Sequence, residues 1–261
     1  MCLIIAREKQ GDPEIPESSI ENAWNSGNDD GAGISFIDYK HQQVSIIKPI
    51  WSLKETIEKV RSIEKKHGNP LMLLHLRLKT HGGRDKQNTH PFRLSKYAAV
   101  AHNGVFSGKQ FVHKKKSDTR IYLDKYIRKF PADYLRHPGV LNLIEDQIGG
   151  YNKLAFIFYG EQPEIKIVNK DQGETIDNLW YSSPSATYDQ TWYSPYYLDK
   201  SGVIQEYPSE KRRNLPARTK PSKTYPEEDC LNCGQGIPDD YYELFCHYCG
   251  ANLYLQEMME S

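Results

Sequence analysis

A chain of 261 residues is long enough for one sizeable domain with a small appendage. Its 34 Lys and Arg balance 34 Asp and Glu, so overall charge does not make it a nucleic-acid binder, although a local basic patch stays open. No apolar run approaches the length of a membrane span, and the short apolar run after Met1 has no basic stretch ahead of it. Neither a transmembrane helix nor a signal peptide is expected, and a reducing, cytoplasmic location is.

The first element predicted is a buried strand over Cys2–Ala6, a short run rich in β-branched residues. Residues 8–30 are polar and rich in Gly, Pro, Asn and Asp, which predicts a loop with at most one helical turn. Gly33–Asp38 and Gln43–Lys48 read as a hairpin connected through Tyr39–Gln42. Ser52 and Glu55 form a capping-box pattern that opens a helix, and Gly68 stops it after His67. Leu71–Leu76 is a second buried strand, and Tyr97–Ala101 a third that leads into His102-Asn103-Gly104. Helices are predicted over Asp118–Lys129 and Val140–Ile148, followed by a hairpin of Lys153–Tyr159 with Glu164–Val168 and a strand over Leu179–Ser182. This order suggests an α+β protein with helices layered on mostly antiparallel sheets. From Glu206 to Glu228 four prolines and six basic residues replace the apolar periodicity, which predicts a linker. The expected units are therefore a domain over 2–205, a basic linker over 206–228 and a small module over 229–255.

The cysteines divide into two groups. Cys230, Cys233, Cys246 and Cys249 form two C-x-x-C pairs separated by twelve residues, each pair followed by glycine. Four soft thiolates at this spacing suit a tetrahedral, structural Zn²⁺ in a zinc ribbon, whose small module needs the metal to fold. Cys2 stands apart, directly behind Met1. Removal of that methionine would put a thiol and a free α-amine on one residue, and an N-terminal amine can serve as general base for its own side-chain nucleophile. A free cysteine that simply begins a buried strand is the plainer alternative.

Three further segments bear on Cys2: His75-Leu-Arg77-Leu-Lys-Thr80, Asn88-Thr-His90-Pro and His102-Asn103-Gly104, with Ser117-Asp118-Thr119 beyond them. Together, behind an N-terminal cysteine, they resemble the class II glutamine amidotransferases over roughly residues 2–185. The resemblance implies a four-layer αββα N-terminal-nucleophile hydrolase sandwich that hydrolyses glutamine. It assigns catalysis to Cys2, Asn103 and Gly104, the last two as an oxyanion hole, and substrate binding to Arg77, Thr80, His90 and Asp118. The chemistry agrees: a side-chain amide and a turn N–H can hold the oxyanion, an Arg fork the α-carboxylate, and an Asp the α-ammonium. Ser117 is positioned to cap the following helix while Asp118 binds substrate. His75, His90 and His102 lack the spacing of a helical metal site and are read as structural. Leu78 and Arg120 depart from the residues frequent at these positions in the family, which bears on the downstream reaction and not on the glutaminase step.

The leading expectation is a glutaminase subunit that passes ammonia to a separate acceptor enzyme, with the ribbon as a docking or targeting module. A γ-glutamyl amide hydrolase, or a non-catalytic zinc-ribbon module that binds nucleic acid or protein, are the alternatives; nucleic acid is possible through the ribbon and basic linker but not favoured, and no membrane partner is expected.

Overall fold

The computed structural model describes residues 2–78 and 83–183, together with the backbone of two further strands, Tyr196–Leu198 and Ile204–Glu206, which pair antiparallel. Its elements in chain order are β1 (Leu3–Arg7), α1 (Glu17–Asn25), β2 (Ala32–Asp38), β3 (Gln43–Ile50), α2 (Leu53–His67), β4 (Met72–Leu76), β5 (Phe92–Ser95) and β6 (Ala98–Asn103). There follow α3 (Asp118–Lys125), α4 (Pro138–Ile148), β7 (Lys153–Phe158), β8 (Glu164–Val168), β9 (Glu174–Ile176) and β10 (Leu179–Tyr181). One sheet has the order β3-β2-β4-β1-β10-β9 and the other β5-β6-β7-β8. Neighbouring strands in both sheets run antiparallel.

The strand alternation sorts the apolar side chains into three layers. Leu3 and Ile5 of β1 pack with α1 and α2, whereas Ile4 and Ala6 face the second sheet and join Ala99, Ala101 and Ala155. The outer face of that second sheet, with Val100, Phe156 and Phe158, is covered by Tyr122, Leu123 and Ile144 of α3 and α4. Helices thus lie outside two sheets that face each other. β1 is covered on both faces, which is why it reads as an unbroken apolar run instead of alternating with polar residues.

Helix α2 begins and ends where its signals place it. Ser52 Oγ accepts from Glu55 N at 3.2 Å, and Gly68 closes the helix in the left-handed region at φ 66°. The loop expected over residues 8–30 is a correction, because it contains the nine-residue α1. That helix buries only Ser19, Ile20 and Ala23, so it offers too few apolar positions for a 3.6-residue period to stand out. It is tied to α2 by Arg61, which bonds Glu17 at 3.2 Å and the Ile15 carbonyl at 2.8 Å. Helix α3 is shorter than expected. It ends at Lys125, and Tyr126 (φ −122°, ψ −62°) turns the chain into a separate 3₁₀ turn over Ile127–Lys129. The short strands β5 and β9 had no clear signal of their own. No helix among the described residues is long and apolar enough to cross a membrane. The linker beyond Glu206 and the cysteines Cys230, Cys233, Cys246 and Cys249 lie outside the described residues, as does Thr80.

Candidate active site

Strand pairing brings the first residues of the chain to a cavity. β1 runs antiparallel to β4 with Leu3 opposite Leu76, and one step further along this register sets Cys2 against Arg77. The Cys2 thiol donates to the Leu78 carbonyl at 3.3 Å. Around Cys2 the cavity wall is formed by Arg77, Asn88, His90, Gly104 and Asp118, which come from four separate stretches of chain. The space between them, open to solvent, is about 300 Å³.

Each of these side chains is held by its neighbours. Arg77 is buried just beyond β4; its backbone N–H donates to the Gly31 carbonyl at 2.9 Å and its Nη1 to the Gly83 carbonyl at 2.9 Å. Asp118 opens α3, but its carboxylate does not cap that helix. Ser117 does, with Oγ accepting from Arg120 N at 3.2 Å, while Asp118 Oδ2 accepts from Phe106 N at 2.7 Å. Asn88 joins the 85–90 segment to the same helix start: its Oδ1 accepts from Ser117 N at 2.8 Å and its Nδ2 donates to the Lys115 carbonyl at 2.8 Å. Where that segment crosses the six-stranded sheet only glycine fits, since a Cβ on Gly33 would lie 2.0 Å from the His90 carbonyl oxygen.

Gly104 follows the last residue of β6 with φ +141°, a conformation that L side chains rarely adopt. A Cβ there would meet Asn152 Oδ1 at 2.3 Å and Asn152 Cα at 2.9 Å. The turn is therefore closed against Asn152, and Gly104 lines the cavity. Asn103, its neighbour, does not line it. Asn103 is fully buried, and its Nδ2 donates to Ser182 Oγ at 2.9 Å and to the Ser182 carbonyl at 3.3 Å. Its Oδ1 is buried without a partner among the described residues. Ser182 also takes Ile4 N on its Oγ at 2.8 Å, so one hydroxyl connects β1 with the end of β6.

Three buried histidines stand beside the cavity. His102 is fixed by Asn152, whose Nδ2 donates to the Ile148 carbonyl at 2.8 Å and so presents Oδ1 to His102 Nε2 at 3.0 Å. Nε2 therefore carries a proton, and Nδ1 accepts from Thr119 Oγ1 at 2.7 Å. His75 Nε2 lies 3.1 Å and His90 Nδ1 3.0 Å from the His102 carbonyl oxygen. Burial pushes His75 down to about 3 and His90 well below the usual imidazole range; it lowers His102 as well. All three are neutral and weakly basic near pH 7, so none is suited to deprotonate a thiol. Burial also pushes the Cys2 thiol above its ordinary value, so reaction as a thiolate near neutral pH would require a base.

The site residues expected from the sequence are thus distributed unevenly. Cys2, Arg77, His90, Gly104 and Asp118 share the cavity, Asn103 lies behind it, and Thr80 lies outside the described residues. Asn88, Asn152 and Ser182 had no assigned role in the sequence. Asn88 stood inside a quoted motif, but nothing local marks Asn152 or Ser182, because their partners are 50 and 79 residues distant.

No protein-family model and no curated protein sequence matches the chain. Among solved structures, the chain is similar to a glutamine phosphoribosylpyrophosphate amidotransferase from B. subtilis, solved with ADP and GMP. That likeness has 16% identity and a TM-score of 0.45, and covers 71% of this chain and 42% of that one. A glutamine aminotransferase class-II domain protein from Silicibacter pomeroyi is similar at 10% identity and a TM-score of 0.36, over 69% of this chain and 87% of that one. The chain thus spans less than half the length of the first. Neither likeness assigns a function to this chain.

Proposed function

We propose that the chain is the glutaminase part of a class II glutamine amidotransferase, an N-terminal-nucleophile hydrolase with the αββα layering that family implies. The observation that carries this reading is the cavity itself. Cys2 at the head of a central strand, an arginine, a carboxylate and a glycine turn line it together, while every nearby imidazole is held neutral. Cleavage immediately before Cys2 would supply the missing base as its own α-amine, with a reference pKa of about 7.7–8.0.

In this reading Arg77 pairs with the α-carboxylate of glutamine and Asp118 with its α-ammonium, which sets the side-chain carboxamide beside Cys2. The amine takes the thiol proton as Sγ attacks the amide carbon. The resulting oxyanion is held by the Gly104 N–H and by Asn103, whose amide must turn away from Ser182 to donate. Return of the proton to nitrogen expels ammonia and leaves a thioester, which water hydrolyses to glutamate and free Cys2. Transfer of the ammonia to a separate acceptor enzyme belongs to the proposal, as does structural Zn²⁺ on Cys230, Cys233, Cys246 and Cys249. The donor set supports the zinc: four thiolates in two C-x-x-C pairs suit a closed tetrahedral site and leave no open position for catalysis.

Mass spectrometry of the full chain, before and after a diazoketone analogue of glutamine, tests both parts. The expected result is a chain beginning at Cys2, one adduct on that residue, glutamate release without the analogue, and one zinc retained under native conditions. A chain with a free Cys2 amine that neither forms the adduct nor releases glutamate sinks the glutaminase reading.

A further inference from the structure

Lys153, the first residue of β7, is buried, and its side chain makes no hydrogen bond or ion pair among the described residues. A buried ammonium is ordinarily paired, because an unpaired charge is costly to take out of water. Asp171, in the turn after β8, acts on it only at longer range, without an ion pair. The glutaminase chemistry gives Lys153 no task.

Its place in the sheet sets it beside a residue that has one. Lys153 stands directly opposite Asn103 in the antiparallel ladder of β6 and β7. Alternation along β7 puts Lys153 on the face of Ala155 and Ile157, and alternation along β6 puts Asn103 on the face of Ala99 and Ala101. Both side chains therefore enter the space between the two sheets. The Cβ atoms of such a pair stand about 4.5–5.5 Å apart, well within reach of a lysine stem. On that face Asn103 commits its Nδ2 to Ser182, while its Oδ1 is buried without a partner among the described residues. A charged donor without an acceptor and a buried acceptor without a donor thus occupy opposite positions of one ladder.

We propose that Lys153 is a positioning residue for the oxyanion hole: its ammonium donates to Asn103 Oδ1 once the amide leaves Ser182, and so aims Nδ2 at the oxyanion. An amide that has given up its bonds to Ser182 needs a partner on its oxygen to keep one orientation. An ammonium, which only donates, selects that oxygen and not the amide nitrogen. Its charge also favours the negative charge that develops on the substrate. Burial pushes Lys153 down to about 8, so it keeps its proton near neutral pH. This role rests on the glutaminase reading.

Steady-state glutamate release by the full chain beginning at Cys2 tests it, with urea unfolding used to verify the fold of each variant. Lys153→Met keeps the stem and removes the ammonium. It should lower kcat at least about tenfold, within the roughly 100–1000-fold that one oxyanion donor is worth, and leave KM unchanged. In an Asn103→Ala background the same substitution should lower kcat by no more than about twofold, since the group it positions is gone. Equal losses in the two backgrounds, a rise in KM without a fall in kcat, or full turnover by Lys153→Met overturns the role of Lys153 and leaves the glutaminase reading standing. An unmodified chain with a free Cys2 amine that neither releases glutamate nor takes up the diazoketone analogue overturns both.

Discussion

Replacing Gly104 by alanine puts the closest backbone approach in the site under direct test. The new Cβ would stand 2.3 Å from Asn152 Oδ1 and 2.9 Å from Asn152 Cα, and the second of these atoms is backbone that cannot swing away. Holding alanine at φ +141° costs about 1–3 kcal/mol. Displacing Asn152 also removes the acceptor of His102 Nε2–H and strands that donor in the interior, a further cost of about 1–3 kcal/mol. Gly104→Ala should therefore lose about 2–6 kcal/mol in urea unfolding followed by tryptophan fluorescence, with the denaturant slope unchanged. Gly68→Ala is the matched control: it too has positive φ, but its Cβ would meet nothing within 4 Å, so it should lose only about 1–2 kcal/mol. Gly104→Ala keeps the proposed oxyanion N–H but, by pushing the turn off Asn152, should displace it, so glutamate release should fall, by at most the roughly 100–1000-fold that losing one oxyanion donor costs, under conditions where the variant stays folded. Equal losses in the two variants would refute the close approach. Full turnover by a folded Gly104→Ala would show that the clash with Asn152 does not move the N–H.

Two other predictions concern buried charge. Glu64 accepts from Ile15 N at 2.9 Å and from both Arg7 and Arg61, and Arg7 is completely buried; Glu64→Gln should cost about 3–5 kcal/mol in the same assay, and a loss below about 1 kcal/mol would contradict the pairing. Burial lowers both Lys48 and Lys153 from 10.5 to about 8, so between those values the unfolded chain binds more protons than the folded one. Stability should therefore rise with pH above about 8, the penalty being fully present below that. The raised Cys2 thiol opposes this trend above its ordinary value of 9.0, which makes pH 8–9 the clearest window. Lys153→Met should flatten the rise in urea midpoints measured at pH 7, 8 and 9; a slope equal to that of the unmodified chain would show that Lys153 titrates normally when folded.

Where structure depends on near neighbours, the sequence was a sufficient guide. Ser52, Glu55 and Gly68 mark the ends of α2 because caps act within one turn, and the β2–β3 hairpin follows from two apolar runs around a short polar connection. Helix α1 was hidden because its stability comes from packing on α2 and the sheet, not from an apolar period of its own. The site divides the same way. Cys2, Arg77, His90, Gly104 and Asp118 were identifiable as residue types in motifs, yet nothing in those motifs could show that Asn103 turns its amide to a serine 79 residues later.

That serine shows why the geometry of this site is a property of two sheets together. Cys2 precedes β1 in one sheet, and Asn103 and Gly104 end β6 in the other, so their distance depends on how closely the sheets approach. The facing residues of the second sheet include Ala99, Ala101 and Ala155, small side chains that permit a close approach, and Ile4 and Ala6 of β1 belong to the same layer. At the cavity end polar contacts replace this apolar layer. His75 of β4 reaches the His102 carbonyl of β6, and Ser182 takes hydrogen bonds from Ile4 N and from Asn103. The contact that draws Asn103 toward β1 also occupies the amide that the proposed oxyanion binding requires. On the proposed mechanism Asn103 should leave Ser182 only when the tetrahedral intermediate offers a charged acceptor, since hydrogen bonds to an ionised acceptor are about twice as strong as neutral ones.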